Sequence, residues 1–211
     1  MTDSSAAAAR RGRYARFGAE FYRRHYDNPR TAVTSRLEMA RRGQFIAAFV
    51  NYLDLPIRTI LDAGCGMGWL RAPLERGIPG ARYLGLEASE YLCQRFGWQH
   101  GCIASHRARA PYDLVVCYDV LQYLGDRDAA RAIANLGRVT RGALYFSALT
   151  HEDWEDNCDQ SRTDREVTLR PAHWYRQRLA RHFVPLGGGM HLRRGVPAHQ
   201  WELERMPRLV R

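Results

Sequence analysis

The run Leu61 to Gly68, LDAGCGMG, sets glycines at positions 64, 66 and 68 where an apolar stretch gives way to a helical one. Without Cβ atoms, the backbone there can turn tightly and come close to a ligand. Asp62 and Cys65 belong to the same turn, and Glu87 ends the next apolar run, ARYLGLE. A carboxylate at the end of a strand can accept both hydroxyl hydrogens of a ribose, so the glycine turn and the acid converge on one crevice. The alternative is a glycine turn with only a packing role. A dinucleotide fingerprint would set its third glycine at position 69, which is Trp69, so a nicotinamide cofactor is the weaker reading.

A second group of candidates follows later apolar runs. Asp119, Gln122 and Tyr123 come directly after YDLVVCY, and His151 comes after GALYFSAL. Asp119 and His151 are the candidate catalytic groups. An imidazole titrating near neutrality can take a proton from a hydroxyl or an ammonium. The plainer readings are a solvated loop histidine, and an aspartate that only orients a ligand. Residues 151–166 hold seven acids against Arg162 and Arg165, and they include Trp154. In a pocket such a mixture receives a cation through carboxylates and a ring face; on a surface it is a solvated acidic loop. Tyr22, Tyr26, Tyr123, Trp154 and Trp174 are the candidate substrate contacts, with core packing as the alternative for each aromatic.

Other chemistries find little support. Cys65, Cys93, Cys102, Cys117 and Cys158 are odd in number and lack metal-ligand spacing, and the histidines are scattered, so neither a disulfide frame nor a metal is expected. The formal charge of +10 points towards nucleic acid or an anionic surface. All 32 cationic side chains are Arg, however, which codon bias explains equally well. The excess is greatest in residues 1–45, where ten Arg face Asp3, Glu20, Asp27 and Glu38. No apolar run reaches the roughly 20 residues of a spanning helix, and the start lacks a secretory core, so a cytoplasmic location is expected.

The elements that position these residues follow from periodicity. Residues 1–12 read as a disordered tail. Residues 13–56 read as a helical cap of two amphipathic helices, Tyr14 to Tyr26 and a second from Ser35 to before Pro56. Residues 57–211 alternate short apolar runs with helical stretches, the signature of a three-layer α/β fold around a mostly parallel sheet. The expected strands are 59–63, 81–87, a weak 101–105, 112–118 and 142–149. A helix is expected over 127–138 and another from Pro171 to about His182, followed by two strands flanking the turn at Gly195-Val196-Pro197.

With these motifs in place, the chain resembles the class I S-adenosylmethionine-dependent methyltransferases. LDAGCGMG is similar to their first motif, LGLEAS (Leu84 to Ser89) to the acidic second, and PYDLVVCYDVLQYL (Pro111 to Leu124) to the fourth-strand motif. The resemblance covers about residues 57–150. It implies a Rossmann-like sheet of seven strands with a reversed last strand and an N-terminal helical lid. It also implies S-adenosyl-L-methionine as cofactor. The methionine part would lie on Gly64, Gly66 and nearby backbone including Asp62, Cys65 and Gly68, and the ribose on Glu87. Cys102 and Ile103 would flank the adenine, and Tyr118, Asp119 and Val120 would border the methyl-donor end. Many members carry an acid where this chain has Cys102, a departure that leaves adenine recognition to backbone and apolar surface.

The implied activity is methyl transfer to oxygen or nitrogen of a small-molecule acceptor, an in-line displacement that mainly requires positioning and exclusion of water. In this resemblance the N-terminal helices and the region after the fifth strand shape the acceptor pocket. Two rivals remain: an RNA methyltransferase, and a non-catalytic cofactor-binding sensor or scaffold. YDVLQY stands where an NPPY-like base-methylation motif would be, there is no Pro-Cys nucleophile, and no RNA-binding module is evident.

Overall fold

The computed structural model describes residues 14–198 and 200–204; the tail expected at 1–12 lies outside the described residues. Seven strands form one sheet: β1 (Thr59–Ala63), β2 (Arg82–Glu87), β3 (Gln99–His100), β4 (Tyr112–Tyr118), β5 (Thr140–Ser147), β6 (Phe183–Gly187) and β7 (Met190–Arg193). Their order is β3-β2-β1-β4-β5-β7-β6. β7 runs antiparallel to both its neighbours, and every other pair is parallel. This is the seven-stranded arrangement with a reversed last strand that the motifs implied.

The central strands are apolar on both faces because both are covered. Side chains alternate across the sheet, so Ile60, Leu114 and Val116 enter one layer while Leu61, Val115 and Cys117 enter the other. The first layer is closed by Ile46 and Val50 of α2 (Arg36–Tyr52) and Leu74 of α3 (Arg71–Gly77). α2 begins with a capping box: Ser35 Oγ accepts from the Glu38 amide at 3.1 Å, and Glu38 Oε2 accepts from the Ser35 amide at 2.7 Å. Ile133 and Leu136 of α5 (Asp126–Val139) and Tyr175 and Leu179 of α7 (Ala172–Leu179) close the second layer. The remaining helices are α1 (Ala19–Tyr22), α4 (Glu90–Phe96) and α6 (His151–Asp156). Among the described residues, no helix is long and apolar enough to cross a membrane.

Several elements differ from expectation. The first helix is not continuous from Tyr14: α1 is a single turn that passes into a π-helical segment, Arg23–Asp27. The weak third strand at 101–105 is a turn, in which the Ser105 and His106 amides both donate to Cys102 O at 3.0 and 2.9 Å. Only Gln99 and His100 pair with β2. β5 starts two residues earlier than expected, and the polar stretch after it contains α6. The last hairpin turns at Gly188-Gly189, not at Gly195. Gly187, Gly188 and Gly189 all have positive φ (99°, 56° and 82°), which reverses the chain at small steric cost.

Candidate functional site

The carboxyl ends of β1, β2 and β4 open onto a crevice, the usual ligand position in open α/β sheets. Its floor is the turn after β1. Gly64 has φ 83°, and its amide donates to Leu86 O at 2.7 Å. A Cβ at Gly64 would strike Val120, and one at Gly68 would strike the Trp98 ring. At Gly66 (φ 50°) a Cβ would meet nothing nearer than Gly64 O at 4.0 Å, so it would project into open space. The Gly66 amide is held by Glu87 Oε2 at 2.9 Å and its carbonyl by Trp98 Nε1 at 3.0 Å.

Three carboxylates surround this floor and do different work. Glu87 Oε1 accepts the Ala88 and Ser89 amides, each at 2.8 Å, and Oε2 accepts Gly66. Burial raises the Glu87 pKa, and these three amides oppose the rise. A carboxylate has about four acceptor directions, so one is left for a ligand hydroxyl. Asp62 lies beneath the turn and lines neither cavity; Tyr83 donates to its Oδ2 at 2.6 Å, and burial pushes its carboxyl up to about 7. Asp119 has a left-handed backbone (φ 54°), uncommon for a residue with a Cβ and often found at ligand sites. Burial raises its pKa, against hydrogen bonds from Tyr118 and Gln122 and the field of Arg42. The Arg42 guanidinium sits 4.0 Å over the Tyr118 ring.

An aromatic lid covers one end. Phe17 packs edge-on against Phe21 at 4.9 Å, Tyr26 against Trp69 at 5.8 Å, and Tyr22 stacks on Tyr91 at 6.1 Å. The lid is pinned by Ser89 Oγ donating to Phe17 O at 2.6 Å and Tyr14 OH to Cys102 Sγ at 3.3 Å. Arg16 extends across to the segment after β5, pairing with Asp164 at 3.0 Å and Glu166 at 2.9 Å.

Two cavities meet under this lid and share Tyr26, Gly64, Gly66, Asp119 and Tyr123. The smaller, about 80 Å³, is walled by Glu87, Cys102, Ile103, Val120 and Tyr22. The larger, about 750 Å³, continues past Cys65, Tyr118 and Gln122 to Asp159, Arg162 and Asp164. Most of the expected site residues are thus brought together. Besides Asp62, Gly68, His151, Trp154 and Trp174 are not in either wall.

The reasons for these exceptions are local. Gly68 is packed under Trp98. His151 is the exposed first residue of α6, its amide bound to Arg170 O at 3.1 Å. Trp154 lies on the same short helix, its carbonyl accepting Gln160 Nε2 at 2.9 Å. Trp174 is held between the guanidiniums of Arg178 at 3.8 Å and Arg170 at 5.0 Å and joins the core beside α5. None of these side chains reaches the crevice.

Two features lay beyond sequence reasoning. Gln122 is 4% exposed and lines the larger cavity, yet its Oε1 has no hydrogen-bond partner among the described residues. Arg170, 3% exposed, holds the turn that carries Gln122: it donates to Leu121 O at 3.0 Å, Tyr175 OH at 3.1 Å and Asp126 Oδ1 at 2.8 Å, and also to Leu124 O.

Comparison with known proteins gives three kinds of likeness. Residues 61–146 match a family model described as a methyltransferase domain. A malonyl-[acyl-carrier protein] O-methyltransferase of Magnetococcus marinus is 29% identical over 115 residues, 48% of this chain and 43% of that protein. The chain therefore spans under half the length of the curated relative it matches. The magnesium protoporphyrin IX methyltransferase of Synechocystis PCC 6803, solved with S-adenosylmethionine, superposes with a TM-score of 0.55 at 21% identity, over 85% of this chain and 94% of that one. An amino pentose methyltransferase of Micromonospora echinaspora superposes with a TM-score of 0.56 at 15% identity, over 74% and 91%.

Proposed function

We propose that this chain, whose residues 61–146 match a methyltransferase-domain model, is a bacterial, cytoplasmic enzyme of the class I S-adenosylmethionine-dependent methyltransferase kind that methylates oxygen or nitrogen of a small-molecule acceptor. The observation that carries the reading is the Gly66 amide held by Glu87 at the floor of the crevice, beside a position where a Cβ would enter the cavity.

The residues present fit S-adenosylmethionine. The Gly64 to Gly66 backbone would cradle the methionine part, and Cys65 would wall it. Glu87 would use its remaining acceptor direction for the ribose, Cys102 and Ile103 would flank the adenine, and Tyr118, Asp119 and Val120 would border the far end. Asp62 and Gly68 support the turn from behind. When bound, the cofactor supplies an electrophilic methyl on a sulfonium.

The chain's own contribution is positioning and exclusion of water. Tyr22 and Tyr26 close the lid, Tyr123 seals the join between the cavities, and Asp119 stands where a proton leaving the acceptor can be received. His151, Trp154 and Trp174, which line neither cavity, are given no part in the chemistry. The domain organisation we propose is a helical cap over residues 13–56 on a catalytic domain over 57–211.

A small acceptor is preferred to RNA because the larger cavity is lined by Asp27, Glu38, Asp119, Asp159 and Asp164 against Arg36 and Arg162, a field that repels phosphate. The test is calorimetry with S-adenosylmethionine, its demethylated product and NAD, followed by labelled methyl transfer into extract of the source organism. Binding of both adenosyl compounds and label in the small-molecule fraction are expected. NAD binding alone, or label only in RNA, overturns the reading, and binding without transfer to any fraction favours a sensor or scaffold.

A further inference from the structure

The larger cavity has a charge opposite to that of the protein around it. The chain carries +10, yet five carboxylates and two guanidiniums line this space. Part of the negative charge is neutralised locally: Asp159 pairs with Arg162 at 3.3 Å, Asp164 with Arg16 at 3.0 Å, and Glu38 caps α2. Asp119 has no such ion pair among the described residues.

Beside Asp119 in the wall of the same cavity stands Gln122. Its side chain ends in an amide whose oxygen only accepts. That oxygen is the unpartnered Oε1, on a side chain 4% exposed in the cavity wall. A buried acceptor without a donor is costly unless a ligand satisfies it. The wall therefore presents two neighbouring acceptors, one charged and one neutral.

We infer that the acceptor is an amine, bound through two N–H groups by Gln122 Oε1 and the Asp119 carboxylate. This rests on the methyl-transfer reading above. A neutral primary amine has two hydrogens for two acceptors, and anchoring both leaves its lone pair as the third direction, free to face the methyl donor. An alcohol has one hydrogen and leaves one acceptor unmet; a carboxylate has none and is repelled. In the step itself, the nitrogen lone pair forms the N–C bond as the C–S bond breaks and its electron pair stays on sulfur. The nitrogen becomes a methylammonium and gives up one proton to Asp119.

The experiment uses the full chain with ¹³C-methyl S-adenosylmethionine and the small-molecule fraction of extract from the source organism, read by carbon NMR. The chemical shift separates N-methyl from ether, ester and carbon-bound methyl. Cofactor affinity is measured in parallel by calorimetry. N-methyl signal supports the inference. Ether, ester or carbon-bound methyl, with cofactor binding intact, overturns it and leaves the methyl-transfer reading standing. Absence of cofactor binding overturns that reading first.

Two substitutions give a second readout. With the labelled amine purified, Gln122→Met is expected to lower kcat/KM by about 10-fold or more, the effect of removing a buried partner, while cofactor affinity is retained. Gln122→Glu, which keeps an acceptor oxygen, is expected to recover most of the loss. Should Gln122→Met fail to fold, Asp119→Asn tests the other acceptor by replacing a carboxylate oxygen with a donor. A full rate in the folded variants overturns the inference.

Discussion

The ring of Phe17 meets that of Tyr123 edge to face, with 5.2 Å between centroids and 78° between planes, joining the lid to the turn after β4. An aromatic pair of this geometry contributes about 0.5–1.5 kcal/mol beyond the area it buries. Phe17→Ala is expected to weaken cofactor binding by at least that amount. Deleting residues 1–12 should leave turnover largely intact, whereas deletion through Asp27 also removes Tyr14, Phe17, Phe21, Tyr22 and Tyr26 and should abolish most of it. Steady-state rates of the two truncations decide the matter; equal loss in both would remove the lid from the account.

Glu87→Ala is expected to cost about 1.5–3 kcal/mol of cofactor affinity, the range for hydrogen bonds to a charged group. The Gly66, Ala88 and Ser89 amides lose their acceptor in the same variant. Glu87→Gln, which keeps one oxygen, should fall between it and the native chain in a calorimetric titration.

The glycines of the floor differ in what a side chain there would meet. Gly64→Ala places a Cβ against Val120 on left-handed backbone, and a loss of about 1–2 kcal/mol in folding stability is expected from the backbone alone. Gly66→Val fills open space in the cavity and should abolish cofactor binding; it carries a left-handed backbone cost of its own (φ 50°) but meets no side chain. A folded Gly66→Val that binds the cofactor with native affinity would contradict this account.

Stability should fall as pH rises from about 4 to 7. The Asp62 carboxyl is pushed up to about 7 in the folded chain by burial, so the folded state holds a proton that the unfolded state has released. The stabilisation is fully present below the unfolded pKa and is lost as pH climbs through the folded one. Glu87 and Asp119, both also raised, act in the same direction. Asp62→Asn keeps an acceptor for Tyr83 and should flatten this part of the pH profile, with a change of order 4 kcal/mol as the upper bound. An unchanged profile in urea titrations would place the titrating group elsewhere.

Arg170→Met strands the Leu121 and Leu124 carbonyls and the Tyr175 hydroxyl in the core. A loss of about 3 kcal/mol or more is expected from denaturation, since each buried group left unpaired costs about 1–3 kcal/mol. Because the same side chain holds the turn carrying Gln122 and Tyr123, acceptor KM should rise more than cofactor Kd.

What could be read from the sequence was what depends on neighbours in the chain. Continuous apolar runs define β1 and β4, and the strand, glycine turn and distant acid of Gly64 to Gly68 and Glu87 depend on one local geometry. The third strand was misplaced because two paired residues leave no periodic signal. The last hairpin was misplaced although Gly187 to Gly189 is the stronger turn signal. His151 and Trp174 have suitable chemistry, but the side on which a short helix packs is decided by tertiary contacts. Gln122 stands in the sequence beside Asp119; that its amide oxygen has no partner depends on the folded positions of Asp119 and Arg170.

Arg16 ties the lid to the segment after β5 through two carboxylates, and such partly exposed pairs are each worth about 0–1 kcal/mol. Two such pairs add at most about 2 kcal/mol to the closed arrangement, a bias of about 30-fold. Salt shortens the reach of these charges, so the bias towards a shut mouth becomes a property of the medium as much as of the protein.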